Sequence, residues 1–178
     1  LSFAAAASNR GIWPDGTKAT ICNILIWSGE DDLNDTIVPR LMAMGADLER
    51  IDLLKGIKKG DSVRAFDPDR DMEALRDAVE NKEISMMIID PIVMMVKGDS
   101  YKNAEVRSAL QPLVDLAREY NCAIYGITHF NKGSSGKDPL ERLTGSVGFG
   151  AVVRIAFAST KYKEDEGTML FARIKNNI

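Results

Sequence analysis

The sequence predicts an α/β protein: a mostly parallel sheet with helices on both faces and antiparallel strands near the C-terminus. Three observations predict it. Apolar runs alternate with amphipathic stretches in the order strand, helix, strand, helix, strand, as in doubly wound sheets. The runs are continuous rather than alternating, as in strands buried on both faces. The last two flank a short polar turn, Glu164 to Gly167, which suits an antiparallel pair. With 178 residues, no internal repeat and no long linker, one domain over 1–178 is expected.

In chain order, alanine-rich Leu1 to Ser8 reads as the end of a buried helix closed by Asn9-Arg10-Gly11, and a Pro14-Asp-Gly16 turn follows. Ile21 to Trp27 is a strand. Asp35 to Met44 is a helix capped by Gly45, its first half disturbed by Pro39. Arg50 to Leu54 reads as a short strand. Asp69 to Asn81 is a helix, with Met72, Leu75, Ala78 and Val79 at helical spacing. Ile84 to Asp90 is the strongest strand, and Ala104 to Tyr120 is an amphipathic helix containing Pro112. Ala123 to Thr128 reads as another buried strand. Thr144 to Val153 is expected to hold a short helix, before paired strands at Val153 to Ser159 and Thr168 to Ile174.

Composition narrows the function. Lys+Arg total 23 against Asp+Glu 26, a net charge of −3, which excludes a surface basic all over but not nucleic-acid contact through one loop. Two cysteines and one histidine cannot build a zinc constellation. Cys22 and Cys122 lie in apolar strand-like runs and read as reduced core thiols of a cytoplasmic protein. No apolar run approaches the roughly 20 residues of a membrane span. The start lacks a basic leader and an initiating Met, so the beginning of the chain is expected to be cut or not shown.

Three predicted strands end in ionisable residues: Trp27-Ser-Gly-Glu30, Ile89-Asp90 and Thr128-His129. Ligands of open parallel sheets bind beyond the carboxyl ends of strands, so this pattern gathers two acids and the only histidine at one edge. An apolar run ending in Asp is the Walker B pattern, which aims a carboxylate at a nucleotide-bound Mg²⁺. Each residue has a plainer reading. Strand-end Asp residues serve turns, Ser28-x-x-Asp31 can cap a helix, and His129 can make an ordinary hydrogen bond.

Several segments, in order, resemble the RecA-type P-loop ATPases of the RepA-like replicative helicase group. They are Ile24-Leu-Ile-Trp-Ser-Gly-Glu-Asp-Asp32, Arg40-Leu-Met-Ala-Met-Gly-Ala-Asp47, Met87-Ile-Ile-Asp90, Thr128-His-Phe-Asn-Lys-Gly133 and Gly145-Ser-Val-Gly-Phe-Gly-Ala-Val-Val-Arg154. The resemblance implies a RecA-like fold binding ATP and Mg²⁺, with single-stranded DNA as partner and a homo-oligomeric, hexameric ring. It implies that Glu30 orients the attacking water, Asp90 binds Mg²⁺ through water, and His129 sits at the γ-phosphate. Arg154 would be an arginine finger acting on a neighbouring subunit's ATP, with a surface arginine at a corner as the alternative.

Two departures stand out. Related DnaB-type helicases carry Lys-x-Arg on the late strand, whereas Lys175-Asn176-Asn177 keeps only the lysine; Arg154 is then the better finger and Lys175 its support. No G-x-x-x-x-G-K-[ST] phosphate loop occurs, and Gly133-Ser-Ser-Gly136-Lys137-Asp138 only imitates one. The resemblance implies that the phosphate loop and its strand precede Leu1, that the sheet lacks a strand in its middle, and that the fragment binds ATP poorly. The Asn131 to Arg142 loop carries Lys132, Lys137 and Arg142 and would track DNA phosphates, a solvated loop being the alternative. Gly98 to Asn103 is the expected companion loop, and neither is read as offering stacking aromatics.

Overall fold

The computed structural model describes residues 1–59, 62–130, 139–142, 147–162, 164–165 and 167–178. They form two compact units, Leu1–Met95 with Pro112–Ile127, and Val96–Gln111 with Thr128–Ile178.

The first unit begins with α1, Ser2–Asn9, whose Ala4, Ala5, Ala7 and Ser8 are buried. It closes on Arg10 in the left-handed conformation at φ 60°, with its N–H returned to the Ala6 carbonyl. β1 spans Asn23–Ser28, and its consecutive Ile24, Leu25 and Ile26 are all buried. Successive strand side chains point to opposite faces, so both faces of β1 are covered.

The next helix starts earlier than the sequence predicts. A π-helical turn at Leu33–Ile37 leads into α2, Val38–Ala43. Pro39 falls in the first turn of α2, where its missing N–H costs little. Gly45 takes φ 72° beyond the helix end, as predicted. A 3-10 turn at Leu48–Arg50 then feeds β2, Ile51–Leu53.

A hairpin that sequence reasoning missed follows, with β3 at Ile57–Lys59 antiparallel to β4 at Ser62–Arg64. It is tied to the start of α3, Met72–Asn81. The buried Asp71 carboxylate accepts from Arg64 at 2.7 and 2.5 Å and from the Asp67 N–H at 2.7 Å. Arg64, through its hydrogen bonds, holds the Asp71 carboxyl below the usual carboxylate range.

β5, Ile84–Asp90, pairs in parallel with β1, and β6, Ala123–Gly126, pairs in parallel with β5. Between them runs α4, Asn103–Glu119, with Pro112 inside. The sheet order is β2-β1-β5-β6, all parallel. Ile24, Ile26, Met86 and Ile88 form one core with Ala4, Ala7, Ile37 and Leu41. On strands of period two, Leu25, Met87 and Ile89 point to the opposite face.

Two sheet expectations need correction. The parallel set is unbroken rather than missing a central member. β6 is its edge, and instead of being buried it is exposed at Ala123 and Gly126 and half-buried between. An apolar run signals a covered strand only if a neighbour covers it, and among the described strands none pairs beyond β6.

In the second unit, α5 at Val147–Val152 is followed by the antiparallel pair β7, Ile155–Lys161, and β8, Met169–Asn176. The predicted hairpin is present, with Phe157 and Phe171 stacked across it at 4.8 Å.

Candidate functional site

In the four-stranded sheet the chain passes from β1 to β2 on one side, then returns to β5 on the other side of β1. The topological switch point therefore lies between β1 and β5, and ligands of open α/β sheets bind at that crevice. The register sets Ser28 opposite Asp90, and the Gly29 N–H donates to the Asp90 carbonyl at 2.8 Å. Glu30, the next residue, is exposed just beyond the strand end, and Asp90 is half-buried. The two predicted acids therefore leave neighbouring strands at one edge. The Leu1 end of α1 lies within electrostatic reach of the Asp90 carboxylate.

Local hydrogen bonds shape the turn that carries Glu30. Ser28 Oγ accepts from the Asp31 N–H at 3.0 Å and donates to the Asp31 carbonyl at 3.1 Å. Ser28 is thus not the helix cap. That role belongs to Asp32, whose carboxylate accepts from the N–H groups of Asn34 and Asp35, both at 2.8 Å. Arg40 of α2 reaches back to Asp31 at 3.2 Å. Glu30 thus lies between a strand end and a turn fixed by Ser28, Asp31 and Asp32.

An open cleft of about 290 Å³ lies next to this edge, lined by Ser28, Asp31, Asp32, Leu33, Asn34, Leu54 and Lys55. It sits at the ends of β1 and β2, and neither Glu30 nor Asp90 lines it. Because the chain continues outward from β1 to β2 without reversing, the switch-point argument favours the β1–β5 crevice over this cleft.

His129 and Arg154 belong to the second unit. His129 follows β6 by three residues and is exposed. Arg154 is exposed at the bend between α5 and β7. Lys175 lies on β8, its ammonium donating to the carbonyls of Gly150 and Val153. Lys132 and Lys137 lie outside the described residues. Arg142 ends a 3-10 turn, Pro139–Arg142, with its guanidinium 4.5 Å from the Phe130 ring centroid. Its Nε is buried and has no hydrogen-bond partner among the described residues.

The Gly98–Asn103 loop holds an aromatic that sequence reasoning passed over. Tyr101 is 68% exposed there. The loop beneath it is braced: Glu105 accepts from the Asp99 N–H at 2.6 Å and from Lys102 Nζ at 3.0 Å. Those two bonds, the backbone one foremost, pull the Glu105 carboxyl below its ordinary range. Asp99 Oδ1 in turn accepts from the Tyr101 N–H at 2.9 Å. The tyrosine was visible in the sequence, but its exposure was not.

Among the described residues no cluster of three His, Cys, Asp or Glu side chains could hold a metal by itself. Both cysteines are unpaired thiols. Burial and the nearby Cys22 push the Cys122 thiol up to about 11, so it is a core group rather than a nucleophile. No described helix is long and apolar enough to cross a membrane.

The AAA domain family matches residues 1–135. Among matching solved structures is a KaiC-like protein from the hyperthermophilic archaeon Pyrococcus horikoshii OT3, 15% identical with a TM-score of 0.55. The match covers 87% of this chain and 67% of that one, and at such low identity the likeness is one of fold. No curated protein matches the chain in sequence.

Proposed function

Because the chain belongs to the AAA domain family, of RecA-like P-loop ATPases, we propose that it is the ATP-hydrolysing motor core of a ring-forming replicative DNA helicase or primase-helicase acting on single-stranded DNA. One observation carries this reading: Glu30 and Asp90 leave neighbouring parallel strands at the switch point of the sheet. Two hard oxygen donors without a third fit a magnesium–nucleotide complex, because Mg²⁺ keeps waters and phosphate oxygens as its other ligands. When bound, magnesium–ATP supplies the phosphoryl group to be transferred and neutralises part of its charge.

The chain's own groups then divide the work. Asp90 would hold the metal. Glu30 orients the attacking water and takes its proton. His129 senses the γ-phosphate end and passes nucleotide state to the loop that follows it. Arg154 acts on the nucleotide of a neighbouring subunit, donating to charge that builds on the transferred group. Lys132, Lys137 and Arg142 track DNA phosphates, with Tyr101 as a stacking platform. The assembly is a hexameric, cytoplasmic ring.

A phosphate loop before Leu1 belongs to the proposal. Its support is the exposed outer edge of β6, where a further strand can pair. Reading the coding sequence upstream of Leu1 tests this directly.

For the motor, the intact protein carrying Glu30→Gln should keep nucleotide binding while DNA-stimulated turnover falls by two or more orders of magnitude. Full turnover in that variant contradicts the assignment. Mixing Arg154→Ala with Glu30→Gln subunits should restore activity at mixed junctions, and no rescue at any ratio argues against a finger in trans. The alternative, a regulatory or recombination-type RecA/KaiC-like ATPase, predicts turnover without unwinding of a forked duplex; a non-catalytic fragment predicts neither.

A further inference from the structure

Lys175 stands opposite Ala156 in the β7–β8 ladder, yet its half-buried side chain is spent on the end of α5. Its Nζ donates to the Gly150 carbonyl at 2.6 Å and to the Val153 carbonyl at 2.9 Å. Two residues further, the Asn177 N–H donates to the Arg154 carbonyl at 2.9 Å. Three bonds from one strand end therefore fix the short corner that carries Arg154. The corner needs them. A helix end leaves its last carbonyls without partners, and a helix of six residues is too short to hold itself. A cation suits this place because a helix C-terminus is the negative end of its dipole.

We infer that Lys175 is a positioning residue for Arg154, fixing the backbone from which the arginine projects, and not a second cation that reaches the phosphates. Two of its three ammonium hydrogens are already committed to carbonyls. Swinging the side chain toward a neighbouring subunit would strand both acceptors. The inference rests on the reading of Arg154 as the finger, and the experiment separates the two.

The intact protein is tested as Lys175→Met, which keeps the stem and loses the donors, as Lys175→Arg, and as Asn177→Pro, which removes the third donor. Misplacing a catalytic group by about an ångström lowers turnover roughly 10- to 100-fold, so Lys175→Met should lower kcat by that factor while KM for ATP stays within about twofold. Lys175→Arg should recover most of the loss, and Asn177→Pro should move kcat in the same direction as Lys175→Met. Amide exchange over residues 152–156 should quicken in Lys175→Met. In an Arg154→Ala background, Lys175→Met should cost nothing further. A further loss in that background, or unchanged exchange in Lys175→Met, overturns the inference. An Arg154→Ala protein with full kcat instead removes the finger reading and with it the effect of Lys175 on turnover, leaving the exchange result to decide the clamp.

Discussion

Gly126 closes β6 against the segment that follows Asp90, and replacing it by alanine tests that packing. A Cβ there would lie 2.9 Å from Ile92 Cγ1, 3.0 Å from Ile92 Cβ and 3.3 Å from Ile92 Cδ1. Carbon atoms pack best at about 3.5–4.0 Å, so roughly 0.5–1 Å must be regained. Ile92 has little room to give it. Its branched Cβ limits χ1, and its N–H is held by the Ile127 carbonyl at 2.8 Å. Overpacking costs about 1–3 kcal/mol, while relieving a strand glycine returns about 0.5–1, leaving a net loss of up to about 2.5 kcal/mol, centred on about 1. Urea unfolding followed by the fluorescence of Trp13 and Trp27 should show a lower midpoint with an unchanged slope. In an Ile92→Ala background, which removes Cγ1 and Cδ1 and leaves only the Cβ contact, the cost should shrink by at least about 0.5 kcal/mol. An unchanged midpoint for Gly126→Ala, or the same cost in both backgrounds, would show that Ile92 does not crowd this position. Because Ile92 is two residues from Asp90, the same variant should also weaken magnesium-dependent nucleotide binding in the intact protein.

Asp32→Ala removes the acceptor of two helix-start N–H groups and should destabilise the protein by about 1 kcal/mol, with Asp32→Asn much milder; equal effects would show that capping is not the cause. Cys122 should resist iodoacetamide at pH 8 in the folded protein and react once it is unfolded, a pattern that rapid native labelling would contradict. The folded state keeps a proton on this thiol up to about 11, while the unfolded chain loses it near the ordinary value of about 8.5. Its contribution to stability is therefore full below the lower value and declines as pH rises through the higher one, a decline that Cys122→Ala should reduce in urea midpoints measured from pH 8 to 10.5. Tyr101→Ala should weaken binding of a labelled single-stranded oligonucleotide about tenfold by anisotropy, since one base–aromatic stack is worth roughly 1–3 kcal/mol. Unchanged affinity would remove Tyr101 from the DNA surface.

By itself the sequence determined the architecture, because burial on two faces writes a local signature. Ile24 to Ile26 and Met86 to Ile89 are unbroken apolar runs, and the alternation with Leu75 and Val79 at helical spacing leaves a parallel sheet as the economical solution. It also marked Glu30 and Asp90, because strand ends are readable from where apolarity stops. What it left undecided depended on partners distant in the chain. That β1 and β5 are neighbours, which brings those two acids to one crevice, is a property of strand order and leaves no mark on either segment. The same is true of β6, whose apolar run reads as buried although it forms an edge, and of the β3–β4 hairpin, held by a buried Asp71 that looks like any surface acid. Lys175 shows the limit most plainly. The resemblance made it support for Arg154, and only the fold shows its ammonium on the carbonyls of Gly150 and Val153, because a long cation takes the nearest unsatisfied acceptors and those are set by packing.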